Sequence, residues 1–153
     1  MDVKYLADPD VHRRFMRLAL NEARTAAHQG EVPVGAVVAC NGRVIASAHN
    51  MTEALNDVTA HAEMLAITQA ATAMGGKYLT DCVLYVTVEP CLMCAGALAW
   101  ARPAAVVWGA DDPKRGYAVQ VSKRPYHPKT AVIKGVLADE AAAIMTAFFK
   151  NRR

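Results

Sequence analysis

His61 and Glu63 stand two positions apart in the stretch Thr59–Ile67, and Cys91 and Cys94 stand three apart in Pro90-Cys91-Leu92-Met93-Cys94. Residues two apart on a helix do not face each other, so the imidazole and the carboxylate are not a local pair. Either both point at a third object or one of them is incidental. The cysteines supply that object. Two thiolates three positions apart at a helix start can converge on one metal, and the helix N-terminus and the metal both favour the deprotonated thiolates. With one imidazole added, the donor set matches Zn²⁺, at about 2.3 Å for sulfur and about 2.0 Å for nitrogen. Three protein ligands leave a fourth position for water, which is the catalytic rather than the structural arrangement. Glu63 is then poorly shaped as a fourth ligand. It is well placed to take a proton from the activated water and deliver it to a ring nitrogen or a leaving amine.

Plainer readings exist for each element alone. A lone histidine on a helix is usually a satisfied core or surface residue, and a lone Cys-x-x-Cys can be a redox pair. A thioredoxin-like pair, however, leaves His61, Glu63 and Pro90 without a role. A structural metal site wants a fourth protein ligand. Cys40 and Cys82 are available, but each lies inside an apolar strand, where Cys is usually a small core residue.

The elements that must position these side chains follow from periodicity and punctuation. Val11, Phe15, Leu18, Ala19 and Ala26 recur at helical spacing between Asp10, an N-cap, and Gly30, a stop. Two β-branched runs then flank Asn41-Gly42, the strongest short-range hairpin signal. Asn50 to Val58 reads as a loop. A second helix begins near Thr59, capped by Asp57 or Thr59, and stops at Gly75-Gly76. Cys82–Val88 is a buried strand closed by Glu89-Pro90, and Cys91–Ala101 a short packed helix ending before Pro103. Ala104–Gly109 gives the next strand and Val132–Val136 another. The last helix sets Leu137, Ala141, Ile144, Met145 and Phe148 on one face. Asp139 and Glu140 open it, and Lys150, Arg152 and Arg153 close it, complementing the macrodipole. Helices interleaved with hydrophobic strands predict a sheet covered on both faces, a three-layer α/β/α sandwich.

Composition bounds the setting. A chain of 153 residues with 54% hydrophobic and 20% charged residues describes one compact domain, residues 1–153, and not a disordered chain. Residues 1–10 carry three aspartates and no apolar run, so no signal peptide is expected, and no run of eighteen apolar residues predicts a membrane span. Four cysteines, two of them in Cys-x-x-Cys, do not look like a secreted disulfide framework. The expected compartment is the cytoplasm. A net charge of +3 says little about partners.

His-x-Glu followed by Pro-Cys-x-x-Cys is the signature of zinc nucleobase deaminases. Over nearly its whole length the chain resembles the bacterial tRNA-specific adenosine deaminases of the cytidine-deaminase superfamily. The resemblance is carried by "EVPVGAVV" at 31–38, His49-Asn50, "DVTAHAE" at 57–63 and "LYVTVEPCLMCAGAL" at 84–98. It continues through "GADDPKRG" at 109–116, "GVLADE" at 135–140 and Phe148-Phe149. It implies a cytidine-deaminase-like fold with a five-stranded mixed sheet, and a homodimer whose active sites include partner residues. The substrate it implies is adenosine at the wobble position of a tRNA anticodon stem-loop, converted to inosine. By matching position, His61, Cys91 and Cys94 would hold Zn²⁺ and Glu63 would shuttle protons. Asn50 would contact the flipped nucleotide, with Pro33, Val34 and Ala62 at the pocket. Asp112 would lie beside the RNA backbone, and Phe148 and Phe149 near the substrate-facing C-terminal helix.

One segment departs from that family. Where its members commonly run Gly-Ala-x-Gly-Ser, this chain reads Gly116-Tyr117-Ala118-Val119-Gln120-Val121-Ser122, and the Asn-His pair usual after His127-Pro128 is replaced around Thr130-Ala131. Lys114, Arg115, Lys123, Arg124, Lys129 and Lys134 nonetheless make the segment basic, as phosphate contact requires. Three functions from different classes remain. The first is an RNA-acting adenosine deaminase. The second is a free-base or nucleoside deaminase of guanine or cytosine type, with the same zinc chemistry. The third is a non-catalytic, structural-zinc RNA-binding module, which gives Glu63 nothing to do.

Overall fold

A computed structural model describes residues 6–152. The elements run α1 (Pro9–His28), β1 (Gly35–Cys40), β2 (Arg43–His49), α2 (Ala62–Met74), β3 (Cys82–Val88), α3 (Leu92–Ala101), β4 (Ala105–Ala110), α4 (Tyr117–Gln120), β5 (Ala131–Ile133) and α5 (Ala138–Lys150). The five strands form one mixed sheet in the order β2-β1-β3-β4-β5. β1 is antiparallel to both β2 and β3, while β3, β4 and β5 are parallel. The expected three-layer α/β/α sandwich with a five-stranded mixed sheet is the architecture found.

The strand sequences show why. "CVLYVTV" has no alternation because both its faces are covered, as in the parallel strands of α/β folds. Leu84 and Val86 join Val38, Ala66, Leu98 and Trp108 in the core under α2 and α3. Val83 and Tyr85 point the other way, into a core with Phe15, Met16, Leu20 and Ala141 from α1 and α5. Asn41 and Gly42 turn the hairpin at φ 52° and 76°, the left-handed pair that matches strand twist, and a bulge between Val38 and Ala39 shifts the register. Gly35 is needed for proximity. A Cβ there would stand 2.0 Å from the Ala19 carbonyl oxygen and 2.6 Å from the Ala23 nitrogen of α1.

Several boundaries differ from the sequence expectation. α1 starts at Pro9, with Asp8 rather than Asp10 as its cap, accepting the Asp10 N–H at 3.0 Å. A proline at the first helical position presets φ and forgoes an N–H that would be orphaned anyway, which moves the start upstream. α2 is capped by neither Asp57 nor Thr59. Asp57 spends its carboxylate on the Thr59 N–H (2.8 Å) and hydroxyl (2.7 Å), and His61 takes the cap position. β5 is only three residues long, and the single turn α4 was not foreseen. Cys40 and Cys82 are core residues, as expected, but not separate ones. They are register partners on β1 and β3, with Cα atoms 4.3 Å apart, and are joined by a disulfide. Arg153, placed at the end of the last helix by the sequence, lies outside the described residues. Among the described residues no helix is long and apolar enough to cross a membrane.

Candidate active site

α2 and α3 begin side by side at the same end of the sheet, α3 directly after β3. Their cap residues are His61 and Cys91, both extended, and neither side chain makes a capping hydrogen bond. A side-chain cap typically stabilises a helix by about 1 kcal/mol, so both helices forgo that contribution at this point. The freed side chains meet each other instead. His61 Nδ1 lies 3.6 Å from Cys91 Sγ and 3.5 Å from Cys94 Sγ, and one ligand atom from each of the three residues falls within 4.8 Å of the others. Two sulfurs and one imidazole nitrogen at that separation fit a zinc ion.

The electrostatics favour the deprotonated form at one of the three ligands, Cys91. A hydrogen bond from Cys94, with His61 adding to it, pulls the Cys91 thiol down to about 4. Cys94 is correspondingly pushed up, by that same bond and by burial, and the partnership with Cys91 raises His61. Glu63, in the first turn of α2 and only 4% exposed, is raised by burial to about 7. A carboxyl that exchanges its proton near neutrality is what general acid–base catalysis calls for.

These groups open into a cavity of about 270 Å³. His61, Ala62, Glu63 and Cys91 make its floor. One wall is the loop after β2, contributing Asn50 and Thr52, together with Val32 and Val34 ahead of β1. The opposite wall is the loop after β4, contributing Asp112 and Arg115, and Met145 of α5 completes the rim. Buried carboxylates hold both walls. Glu31 accepts the N–H groups of Glu53 (2.9 Å) and Ala54 (2.8 Å). Glu89 accepts those of Asp112 and Ala118, both at 3.1 Å.

Of the residues singled out in the sequence, Asn50, Val34, Ala62 and Asp112 therefore share a cavity with Glu63 and the His–Cys–Cys cluster. Asn50 donates to the Val32 carbonyl (3.2 Å) and accepts the Thr52 N–H (3.3 Å). Asp112 folds its own turn, accepting the N–H groups of Lys114 and Arg115 at 3.0 Å. Pro33 is buried just behind the lining, between Val32 and Val34. Phe148 and Phe149 are not brought to this cavity. Phe148 faces a separate one with Ala27, Ile144 and Arg152 between α1 and α5, and Phe149 is 46% exposed. On α5 it is Met145, about one turn nearer the helix start than Phe148, that reaches the site. Thr52 and Glu89, not singled out in the sequence, also line it, and Arg115, read from the sequence only as one of the basic residues of its segment, is part of the wall. Glu89 lay in plain sight between an apolar strand and Pro90, a place where a carboxylate calls for an explanation.

Part of the basic segment is paired within the chain. Arg124 bonds the carbonyls of His127 and Thr130, and Lys134 pairs with Asp111 at 3.6 Å. Lys114, Lys123 and Lys129 are exposed.

Comparison with known proteins agrees with this geometry. Residues 9–110 match the cytidine and deoxycytidylate deaminase zinc-binding region. The tRNA-specific adenosine deaminase of Agrobacterium fabrum is 46% identical, the match covering 91% of this chain and 94% of that protein. A structure solved in a study of A-to-I editing by tRNA:A34 deaminases at the wobble position superposes with a TM-score of 0.79. It is 47% identical, with 86% of this chain and 98% of that one covered. Guanine deaminase from Bacillus subtilis is 42% identical over 65% of this chain and 64% of its own, at a TM-score of 0.63. The chain belongs to the cytidine and deoxycytidylate deaminase family, in its tRNA-specific adenosine deaminase branch.

Proposed function

We propose that the cavity hydrolytically deaminates adenosine to inosine at the wobble position of a tRNA anticodon loop, and that residues 1–153 act as one deaminase domain in the cytoplasm. The observation that carries the chemistry is the opening of Glu63, His61 and Cys91 into one cavity, with Cys94 buried beside them. His61, Cys91 and Cys94 would hold a zinc ion, which would supply the Lewis acidity that makes water nucleophilic near neutral pH. Glu63 does the proton work. It takes a proton from the attacking water and delivers it to the ring nitrogen, then takes the second proton of that water from the C6 hydroxyl and passes it to the departing amino group. The C6–N bond breaks, ammonia leaves, and the oxygen of water stays as the inosine carbonyl. Asn50 and Val34 hold the extruded base, and Asp112 and Arg115 meet its flanking backbone. The walls keep bulk water off the base.

The molecule is proposed to work as a homodimer. Val58 and Trp100 are 85% and 78% exposed, with Leu92 also exposed on the outer side of the metal edge. A second copy covering that surface would bury them and bring partner residues close to the cavity.

The substrate assignment rests on the 46% and 47% identities reported above, and it has one competitor. The likeness to guanine deaminase and a cavity of about 270 Å³ also suit a free base. Incubating purified protein with an anticodon stem-loop, free adenosine, guanine and cytosine decides between them. Inosine appearing only at the wobble position supports the reading. Free-base turnover without stem-loop editing replaces it, leaving the role of Glu63 intact.

A further inference from the structure

The buried carboxylates Glu31 and Glu89 are not explained by the fold. Glu31 is 1% and Glu89 7% exposed, and an ionised carboxylate is among the costliest groups to bury. Neither forms a salt bridge among the described residues. The groups they bond belong to loops whose N–H groups water could serve. Glu53, Ala54 and Ala118 are exposed residues and Asp112 is partly so. A carboxylate has acceptors on both oxygens and no donor, so each glutamate spans two N–H groups with charge-assisted bonds. On one side these are adjacent, at Glu53 and Ala54. On the other they are six residues apart, at Asp112 and Ala118, so that one side chain gathers the whole turn.

A second observation shows that the space around Glu89 is kept for its carboxylate. A Cβ on Gly116 would fall 2.4–2.5 Å from all three carboxyl atoms of Glu89, and Gly116 bridges to Cys91. The Tyr117 N–H bonds the Pro90 carbonyl at 2.9 Å. The wall that carries Asp112 and Arg115 is thus tied to the segment that carries the metal-ligand cysteines.

We propose that Glu31 and Glu89 are paired positioning residues. Each locks one wall of the cavity, so that Asn50 and Thr52 on one side and Asp112 and Arg115 on the other meet the substrate in register above the metal cluster. This inference rests on the reading of the cavity as a deaminase site. It assigns the two glutamates to substrate holding, leaving proton transfer to Glu63 on the helical floor.

The test uses Glu31→Gln and Glu89→Gln. Each keeps the side-chain shape but replaces one acceptor with an amide donor, so one loop N–H in each pair loses its partner. Amide hydrogen exchange is expected to speed up at residues 53 and 54 only in Glu31→Gln, and at 112 and 118 only in Glu89→Gln. On the stem-loop, KM should rise about tenfold or more, the effect of losing one hydrogen bond to a charged group. At the same time kcat and zinc content should stay close to wild type. Gly116→Ala, which drives the Glu89 carboxylate out of its place, should reproduce the Glu89→Gln pattern, and the double variant should be no worse than the stronger single one. Should Glu31→Gln fail to fold, Glu31→Asp keeps the charge, withdraws the oxygens and gives the same readings. Lost protection with unchanged KM overturns the proposal, as does a parallel fall of kcat, zinc content and melting temperature, which is what scaffolding alone would give. Wild-type protein run alongside keeps the two claims apart. If it edits no stem-loop, the substrate reading fails, while exchange and the KM of whichever base it does deaminate still test the walls.

Discussion

The floor and the walls of this cavity solve the same problem, holding polar groups in a fixed place, by opposite means. On the floor the functional side chains stand at the first turns of α2 and α3, so packed helices aim them and few contacts of their own are needed. His61 and Cys91 even leave their helices uncapped by side chains. On the walls the backbone is irregular, and its direction is set by two carboxylates reaching in from Glu31 and Glu89. Glu63 and Glu89 make the contrast sharp. Both are buried, but Glu89 carries an N–H on each oxygen, whereas burial raises Glu63 to about 7 and leaves it able to gain and lose a proton. One buried carboxylate holds two stretches of loop together; for the other, burial outweighs the hydrogen bonds it receives.

The largest expected effect breaks the floor. Cys91→Ala should bind no zinc and deaminate nothing, and elemental analysis showing full occupancy would remove Cys91 from the ligand set. Metal retention should also depend on pH. Zinc takes His61 and Cys94 deprotonated, whereas the Cys91 partnership raises His61, and that partnership together with burial raises Cys94. Affinity should therefore fall as pH drops, beginning above the ordinary histidine range, since protons then compete for the ligands. A chelator-competition series across pH checks the sign.

Next comes Glu63→Ala, which should leave zinc, fold and walls in place while activity falls by about 10²–10⁴-fold. Turnover within a few-fold of wild type would move the proton shuttle elsewhere. Changing a wall residue should do less. Asn50→Ala removes both a base-facing amide and the bridge between the Val32 carbonyl and the Thr52 N–H, and should lower kcat/KM about tenfold. Zinc and the salt dependence of binding should not change. A loss as deep as that of Glu63→Ala would erase the distinction drawn between floor and walls.

The mildest change lies outside the cavity. Replacing Lys114, Lys123 and Lys129 together by Ala should flatten the dependence of stem-loop affinity on salt by about two units of log–log slope, near 0.7 per lost phosphate contact on a single strand. Arg124 is unsuited to this test because it holds the carbonyls of His127 and Thr130. An unchanged slope would mean that the basic loop does not track RNA.

The same division governs what could be read from the sequence. Floor residues were legible because helical spacing translates directly into direction, and because the continuous apolar run before Pro90 identified a buried strand leading into the cysteines. The hairpin was legible from Asn41-Gly42. The walls were not, because their order comes from side chains bonding backbone N–H groups far along the chain, 22 and 23 residues away for Glu31, 23 and 29 for Glu89. No periodicity announces such a bond. Phe148 and Phe149 illustrate the related failure on α5. An aromatic pair draws attention by composition, yet which part of a helix meets a cavity depends on how the whole helix docks, and here Met145 is the residue that does. The Cys40–Cys82 bond was hidden likewise, since it depends on strand register rather than on spacing.

Gly35 extends this to the far side of the sheet. It stands where α1 crosses β1 at backbone contact, its N–H held by the Thr87 hydroxyl at 3.1 Å, and the next residue upstream is Val34, a lining residue of the cavity. A helix with no surface on the site is therefore its distant fulcrum. Any substitution that lifts or tilts α1 there, even by a methyl group, must be absorbed by β1, because a close-packed interior transmits displacement. Val34 would then move against the base. Substrate preference in this chain can accordingly drift through changes on the layer opposite the metal, with every group that performs the chemistry left untouched.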